Sequence, residues 1–236
     1  MRIPVLSRLL SMASEMIFPA CCEVCGRSLI EGEDILCMAC DYDMPRTAID
    51  SNRFNTIHQR LAAPGLPIEK AAAYFHYFRG NPYAALIQSA KYSGRPYLGR
   101  KLAMRFAKEL ENADFFDGID LILPMPLHFL KRIKRGYNQT EYLALGLSDA
   151  TGIPVGDNLQ MKRHKTQTRL SAAERLANMQ SAVSVLNGEE LAGKHVLVVD
   201  DVITTGATMM AVIKALHNSV DDIKISVLFL GLTSLS

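Results

Sequence analysis

Two kinds of apolar pattern alternate along this chain. Val196–Val199 is an unbroken run of valine and leucine, as expected of a strand covered on both faces in a parallel sheet. Leu98, Leu102, Phe106 and Leu110 recur every four residues, which predicts an amphipathic helix. Read the same way, the chain has further strands at Ala71–Phe78, Ile119–Leu123 and Ile223–Leu230, and an extended stretch from Pro154 to Met161. Helices are expected at Tyr83–Tyr92, Gln139–Ala150, Ser171–Met179 and Thr208–His217. Pro124 and Pro126 stop the second strand, and Ser171 with Glu174 fits a capping box. Strands alternating with helices imply right-handed crossovers and a mainly parallel sheet flanked by helices, which is the α/β class.

The first 17 residues have a different pattern. Leu6, Leu9, Leu10, Ala13 and Ile17 share one helical face, while Arg2, Arg8, Ser11, Ser14 and Glu15 interrupt any apolar run. A signal peptide needs an unbroken apolar core and a membrane span about 20 apolar residues. The segment therefore reads as an amphipathic helix packing on its own protein, with membrane-surface association as the alternative and no membrane insertion, and the protein as cytoplasmic. The chain divides into that helix (1–17), a cysteine-bearing module (18–45), a connection (46–69) and the α/β domain (70–236).

Composition adds one constraint. With 236 residues and a formal charge of +2, the chain lacks the basic excess of a general nucleic-acid or membrane binder. All five cysteines fall in the 18–45 module. Cys22-x2-Cys25 and Cys37-x2-Cys40 are two knuckle pairs that can bring four thiolates to one tetrahedral Zn²⁺, with Cys21 as the spare. A redox C-x-x-C and an iron–sulfur cluster are the rivals, and structural zinc is the preferred reading. With four protein ligands such an ion has no open position for catalysis.

The chemistry-bearing segment follows the Val196–Val199 run. Asp200 and Asp201 precede a Thr204-Thr205-Gly206-Ala207-Thr208 loop, and the loop leads into a helix. A strand end places such a loop where open α/β sheets bind ligands. Gly206 lets backbone approach a phosphate, the threonine hydroxyls add donors, and the helix adds its positive end. The paired carboxylates suit a sugar 2′,3′-diol. No Gly-Lys-Ser/Thr follows the glycine, so this is not a P-loop.

The whole string resembles the phosphoribosyl-diphosphate (PRPP) motif of type I phosphoribosyltransferases. Other segments narrow the resemblance to the ComF family, which includes GntX-like proteins. They are Phe18-Pro19-x-x-Cys22-x-x-Cys25-Gly26, Lys91-Tyr92-x-Gly94, Pro124-Met125-Pro126-Leu127-His128, Arg135-Gly136-Tyr137-Asn138-Gln139, Arg163-x-x-x-Thr166-Gln167 and Arg175-x-x-Asn178.

The resemblance implies binding of PRPP or another ribose 5-phosphate ligand with Mg²⁺, and transfer of the phosphoribosyl group to an acceptor it does not identify. Asp200, Asp201 and Arg135 would carry the catalysis. Thr204, Thr205, Gly206, Ala207 and Thr208 would hold the 5-phosphate. Pro126, Arg132, Arg135 and Arg163 would face the diphosphate, with Arg163 in a loop that closes over it. Lys131 and Lys134 read better as solvated charges, and Lys91, Gly94 and Gln167 receive no role. Purine-salvage relatives commonly carry an aspartate at the position of Thr204, which counts against 6-oxopurine chemistry. Orotate-type relatives carry threonine there. The family's link with competence keeps a second reading open: a non-catalytic adaptor in DNA uptake, with single-stranded DNA or competence proteins as partners. A homodimer is also among the expected assemblies.

Overall fold

In this computed structural model, which describes residues 20–47, 54–78, 80–92, 94–111, 113–161 and 183–234, the sheet is built around the Val196 run. That run lies in strand β5 (His195–Ile203). The strand pairs in parallel with β6 (Lys224–Leu232) on one side and β2 (Leu121–Pro124) on the other. β1 (Ala71–His76) pairs in parallel with β6, giving the order β1-β6-β5-β2. Asp200 and Asp201 belong to β5 itself, not to the loop beyond it. The backbone of Arg46 bridges antiparallel to Phe75, so part of the 46–69 connection lies along the edge of β1.

The central strand is buried on both faces because its side chains alternate. Leu197 and Val199 join a core with α3 (Ala84–Tyr92), α4 (Pro96–Glu111) and α6 (Gln139–Thr151). Val196 and Val198 join a second core with α7 (Ala207–Ser219) and with α2 (Thr56–Arg60), a short helix inside the connection. Leu98, Leu102, Phe106 and Leu110 are buried on α4 as their spacing requires. α4 meets α6 very closely: a Cβ at Gly146 would lie 2.1 Å from the carbonyl oxygen of Arg100, so only glycine fits.

Four further elements bear on the sites described below. Helix α1 (Met38–Tyr42) follows the third metal-spaced cysteine. Helix α5 (Phe129–Arg135) occupies the basic segment. β3 (Leu159–Met161) and β4 (Val183–Val185) form an antiparallel pair beside the sheet. The helices expected over 1–17 and Ser171–Met179, with Arg163, Gln167 and the Arg175 and Asn178 matches, lie outside the described residues. No helix among the described residues is long and apolar enough to cross a membrane.

Candidate phosphoribosyl site and cysteine cluster

At the carboxyl end of β5, residues far apart in sequence meet in a ring of polar contacts. Lys91 Nζ lies 3.0 Å from Asp201 Oδ2. Gln139 Nε2 donates to the same oxygen at 3.0 Å. Arg135 donates to Gln139 Oε1 at 2.6 Å and to the Tyr92 hydroxyl at 3.2 Å. Its guanidinium also sits 4.8 Å from the centre of the Tyr92 ring. Three of the motifs singled out in the sequence thus converge. Lys91 and Tyr92 come from the last turn of α3, Arg135 and Gln139 from the α5–α6 corner, and Asp201 from β5.

The two acids differ electrically. Asp201 is buried and held by a lysine and an amide. Asp200 is half-buried, and its carboxyl is pushed up to about 8. Burial is the main cause and the neighbouring Asp201 charge the next; Lys91 and Lys131 act in the opposite direction. A carboxyl group that its surroundings hold protonated, as at Asp200, can donate to as well as accept from vicinal hydroxyls.

Beyond the acids the backbone turns sharply into α7. Gly206 caps this helix with φ +79°, in the left-handed region that favours glycine. Thr204, Thr205 and Thr208 are exposed and Ala207 is half-buried, so the loop faces solvent at the positive end of a 13-residue helix. The Thr205 hydroxyl accepts from the Ala207 amide at 3.4 Å. Underneath, a Cβ on Gly206 would approach Leu61 Cδ2 to 2.6 Å. Arg60 donates to the carbonyls of Thr204 at 2.8 Å and Thr233 at 2.7 Å, with a longer contact of 3.3 Å to Ile203 O. The loop therefore rests on α2. Neither Arg60 nor Leu61 stands out in the sequence, because α2 has only five residues and shows no usable periodicity.

The loop after β2 flanks the acids on the other side. Met125 donates to Val199 O at 2.9 Å. Its own carbonyl accepts from Asn138 Nδ2 and Thr140 Oγ1, fixing the loop to the start of α6. Helix α5 then separates the basic residues. Arg135, Lys131 and Lys134 line a cavity of about 360 Å³ with Lys91, Tyr92 and Tyr137. Arg132 turns away. It pairs with Glu141 at 3.5 Å and, with Pro124 and Pro126, lines a larger groove of about 940 Å³ towards β3. Arg135 thus reaches Asp201 only through Gln139, while Arg132 and Pro126 line the second groove.

The sulfur atoms of Cys22, Cys25, Cys37 and Cys40 all lie within 4.8 Å of one another, with Cys25 and Cys37 3.7 Å apart. Sulfurs bound to one tetrahedral zinc at about 2.3 Å sit about 3.8 Å apart, so the four-cysteine cluster is compatible with zinc. Cys21 lies outside it. Burial pushes the Cys22 thiol up, but backbone N–H groups of Cys25, Cys37 and Val24 outweigh this and bring it down to about 6. Burial pushes the Cys40 thiol up, followed by its hydrogen bonds with Cys25, Cys37 and Cys22 and last by the Cys22 charge.

A parallel sheet bearing an acid pair, a threonine–glycine loop and a helix start at one strand end defines a phosphoribosyltransferase-type domain. Residues 96–234, more than half of the chain, match the family model described as phosphoribosyl transferase domain. The chain is 32% identical over 164 residues to competence protein F of Haemophilus influenzae strain Rd, covering 66% of this chain and 71% of that protein. It is 29% identical over 140 residues to the DNA utilization protein YhgH of Escherichia coli K12, covering 57% and 61%. The chain belongs to the phosphoribosyl transferase domain family and, within it, to the ComF proteins. Likeness to solved structures is looser. Adenine phosphoribosyltransferase from Saccharomyces cerevisiae is 19% identical with a TM-score of 0.39, covering 58% of this chain and 69% of that one. The glutamine PRPP amidotransferase of B. subtilis is 25% identical with a TM-score of 0.37, covering 57% and 26%. Neither supports residue-level correspondence.

Proposed function

We propose that this chain binds PRPP across the ends of β5 and β2 and transfers its phosphoribosyl group to an acceptor nucleophile. The observation that carries this reading is the convergence on one strand end. The acid pair adjoins the phosphate-type loop along the chain and, through Lys91, the cavity rich in lysine and arginine, as the diol of PRPP lies between its 5-phosphate and its diphosphate. The Thr204–Thr208 amides and hydroxyls would hold the 5-phosphate. Asp200 and Asp201 would hold the 2′- and 3′-hydroxyls. Arg135, with Lys131 and Lys134, would hold the diphosphate, and Arg163 is proposed to close over it.

In the reaction the bond from C1 to the diphosphate oxygen breaks and the acceptor's lone pair forms the new bond at C1. Diphosphate leaves as an anion, and the acceptor's proton passes to solvent. The chain's contribution is to fix the sugar through its diol and to stabilise charge building on the leaving group. The two carboxyl groups are hard oxygen donors of the kind Mg²⁺ accepts, and Mg²⁺ bound with PRPP would neutralise phosphate charge. The four cysteines are proposed to hold a structural zinc.

A second reading is supported by the names of the relatives, competence protein F and DNA utilization protein. In it the same site binds PRPP without turnover, and the chain acts as an adaptor in DNA uptake. Incubation of labelled PRPP and Mg²⁺ with nucleobase and amine acceptors separates the two. Diphosphate release that depends on an acceptor supports transfer. Tight PRPP binding without release, together with binding of single-stranded DNA, supports the adaptor. Failure to bind any ribose 5-phosphate ligand overturns both.

A further inference from the structure

We infer that Lys91 is an exchangeable counter-ion, which neutralises Asp201 until the sugar diol engages that carboxylate and then moves to the ligand's diphosphate. The inference rests on the ribose-phosphate reading of the site and assigns a positioning residue that this reading does not supply. Lys91 lies outside the 96–234 match to the family model.

Three observations carry it. First, Lys91 Nζ is 3.0 Å from Asp201 Oδ2, the oxygen that Gln139 also contacts. A diol seated on Asp201 must compete with that lysine. Second, both partners are largely shielded from water, with side-chain exposures of 18% for Lys91 and 10% for Asp201. A displaced ammonium cannot simply be left there, because an unpaired charge in such a place is costly. Third, a destination is already built. Lys91 also lines the 360 Å³ cavity with Lys131, Lys134 and Arg135, where an anion would find four cations. Lysine suits an exchange of this kind, since its ammonium is a point charge on a flexible stem. Arg135 is fixed by two hydrogen bonds and a ring contact and does not share that freedom.

The exchange makes the two halves of the ligand interdependent. Ribose 5-phosphate would release Lys91 without offering it a partner, whereas PRPP would supply one. A lysine that merely braced Asp201 would serve both ligands equally. Calorimetric titration of the full chain distinguishes these cases. In Lys91→Met, PRPP with Mg²⁺ should bind about tenfold more weakly or worse, the usual effect of losing a charge-assisted hydrogen bond. Ribose 5-phosphate should bind as well as to the wild type or more tightly, since no ammonium has to be displaced unpaired. Lys91→Arg should recover part of the PRPP affinity. Asp201→Asn should tighten binding of inorganic diphosphate by about fivefold, as expected for freeing a partly buried lysine. The gain should shrink when Asp201→Asn is added to Lys91→Met. Equal weakening of PRPP and ribose 5-phosphate in Lys91→Met, or the same diphosphate gain in both backgrounds, overturns the inference and leaves the ribose-phosphate reading intact. If the wild type binds neither ligand, the ribose-phosphate reading falls and the inference with it. Should circular dichroism show Lys91→Met unfolded, the Lys91→Arg and Asp201→Asn titrations decide alone: Lys91→Arg weakening both sugar ligands alike, or Asp201→Asn leaving diphosphate binding unchanged, overturns the exchange.

Discussion

Arg60→Met tests whether the threonine loop holds a phosphate and whether α2 supports it. Arg60 forms two short hydrogen bonds to backbone carbonyls, 2.8 Å to Thr204 and 2.7 Å to Thr233. It adds longer contacts to Ile203 O and Thr233 Oγ1. Burial lowers its pKa, no carboxylate pairs with it among the described residues, and its Nε is buried without a hydrogen-bond partner. This is a cation held beneath a loop by three carbonyls and one hydroxyl. Hydrogen bonds to a charged group contribute about 1.5–3 kcal/mol each. The Thr204 carbonyl sits at an exposed position where water can replace the guanidinium. Loss of the whole set should therefore cost about 2–3 kcal/mol, not the sum, which in a chain of this size lowers Tm by about 5–10 °C.

The binding consequence is more specific. Met fills much of the arginine's volume, so Leu61 should continue to support Gly206, but the positive charge under the loop is gone. Ribose 5-phosphate and PRPP share the 5-phosphate and should weaken by the same factor, about tenfold, equivalent to 1.4 kcal/mol. Arg60→Lys should keep the charge, lose the fork, and fall between. Calorimetric titration of both ligands, with scanning calorimetry for stability, measures the two effects separately. A folded Arg60→Met protein that binds both ligands like wild type would show that the loop does not depend on this support. Weakening confined to PRPP would show that Arg60 acts on the diphosphate instead.

Arg135→Ala should weaken PRPP more than ribose 5-phosphate in the same titrations, and equal weakening would remove Arg135 from the diphosphate site. Asp200 is held up to about 8 in the folded chain against about 3.9 unfolded. The folded state therefore binds the extra proton, and stability should fall as pH rises from about 4 to about 8. Asp200→Asn should flatten that slope and raise Tm at pH 8, measured by thermal melts across pH. Gly146→Ala places a methyl against the Arg100 backbone and should cost about 3 kcal/mol. Gly99→Ala should cost less, since its closest neighbour is the Leu143 side chain at 3.1 Å, and urea melts compare the two. Protein purified without chelator should carry about one zinc by elemental analysis. Cys37→Ser should lose it and Cys21→Ser should keep it, and iron in its place would refute the assignment.

Much of the fold was legible because its elements are long and one-sided. The four-residue spacing from Leu98 to Leu110 marks α4, and the unbroken run from Val196 marks a strand buried on both faces. The cysteine spacing was sufficient to group four sulfurs. Helix α5 was not legible. Seven residues long and with four basic side chains, it offers only one helical interval, from Phe129 and Leu130 to Ile133, which is too little to establish a period. β4 and α2 are too short to establish a period. In the candidate site the acids and the loop are contiguous, and sequence alone grouped them. The partners of Asp201 are Lys91 and Gln139, 110 and 62 positions away, and only the folded chain identifies Lys91 as one of them.

The cysteine module and the candidate site are mechanically linked through one helix. The Tyr83 hydroxyl donates to the carbonyl of Cys40 at 2.7 Å, and Tyr83 immediately precedes α3, whose last turn carries Lys91 and Tyr92. Cys22, Ile35, Leu36 and Cys37 share a core with Leu86, Ile87 and Ala90 of that helix. Ion pairs fasten the same module to the α3–α4 corner and to α4, through Glu23 with Arg95 and through Asp34 and Asp41 with Arg105. Solvent-exposed ion pairs contribute little to stability, so the shared apolar core carries most of this attachment. A structural metal in the cluster would release its binding energy as folding energy of the segment that holds it. That segment packs against α3 in a shared core, so metal at the cysteines would help set where Lys91 stands relative to Asp201 without touching a ligand. The module's position in the fold is thus better explained as a brace for the α3 side of the cavity than as an appendage.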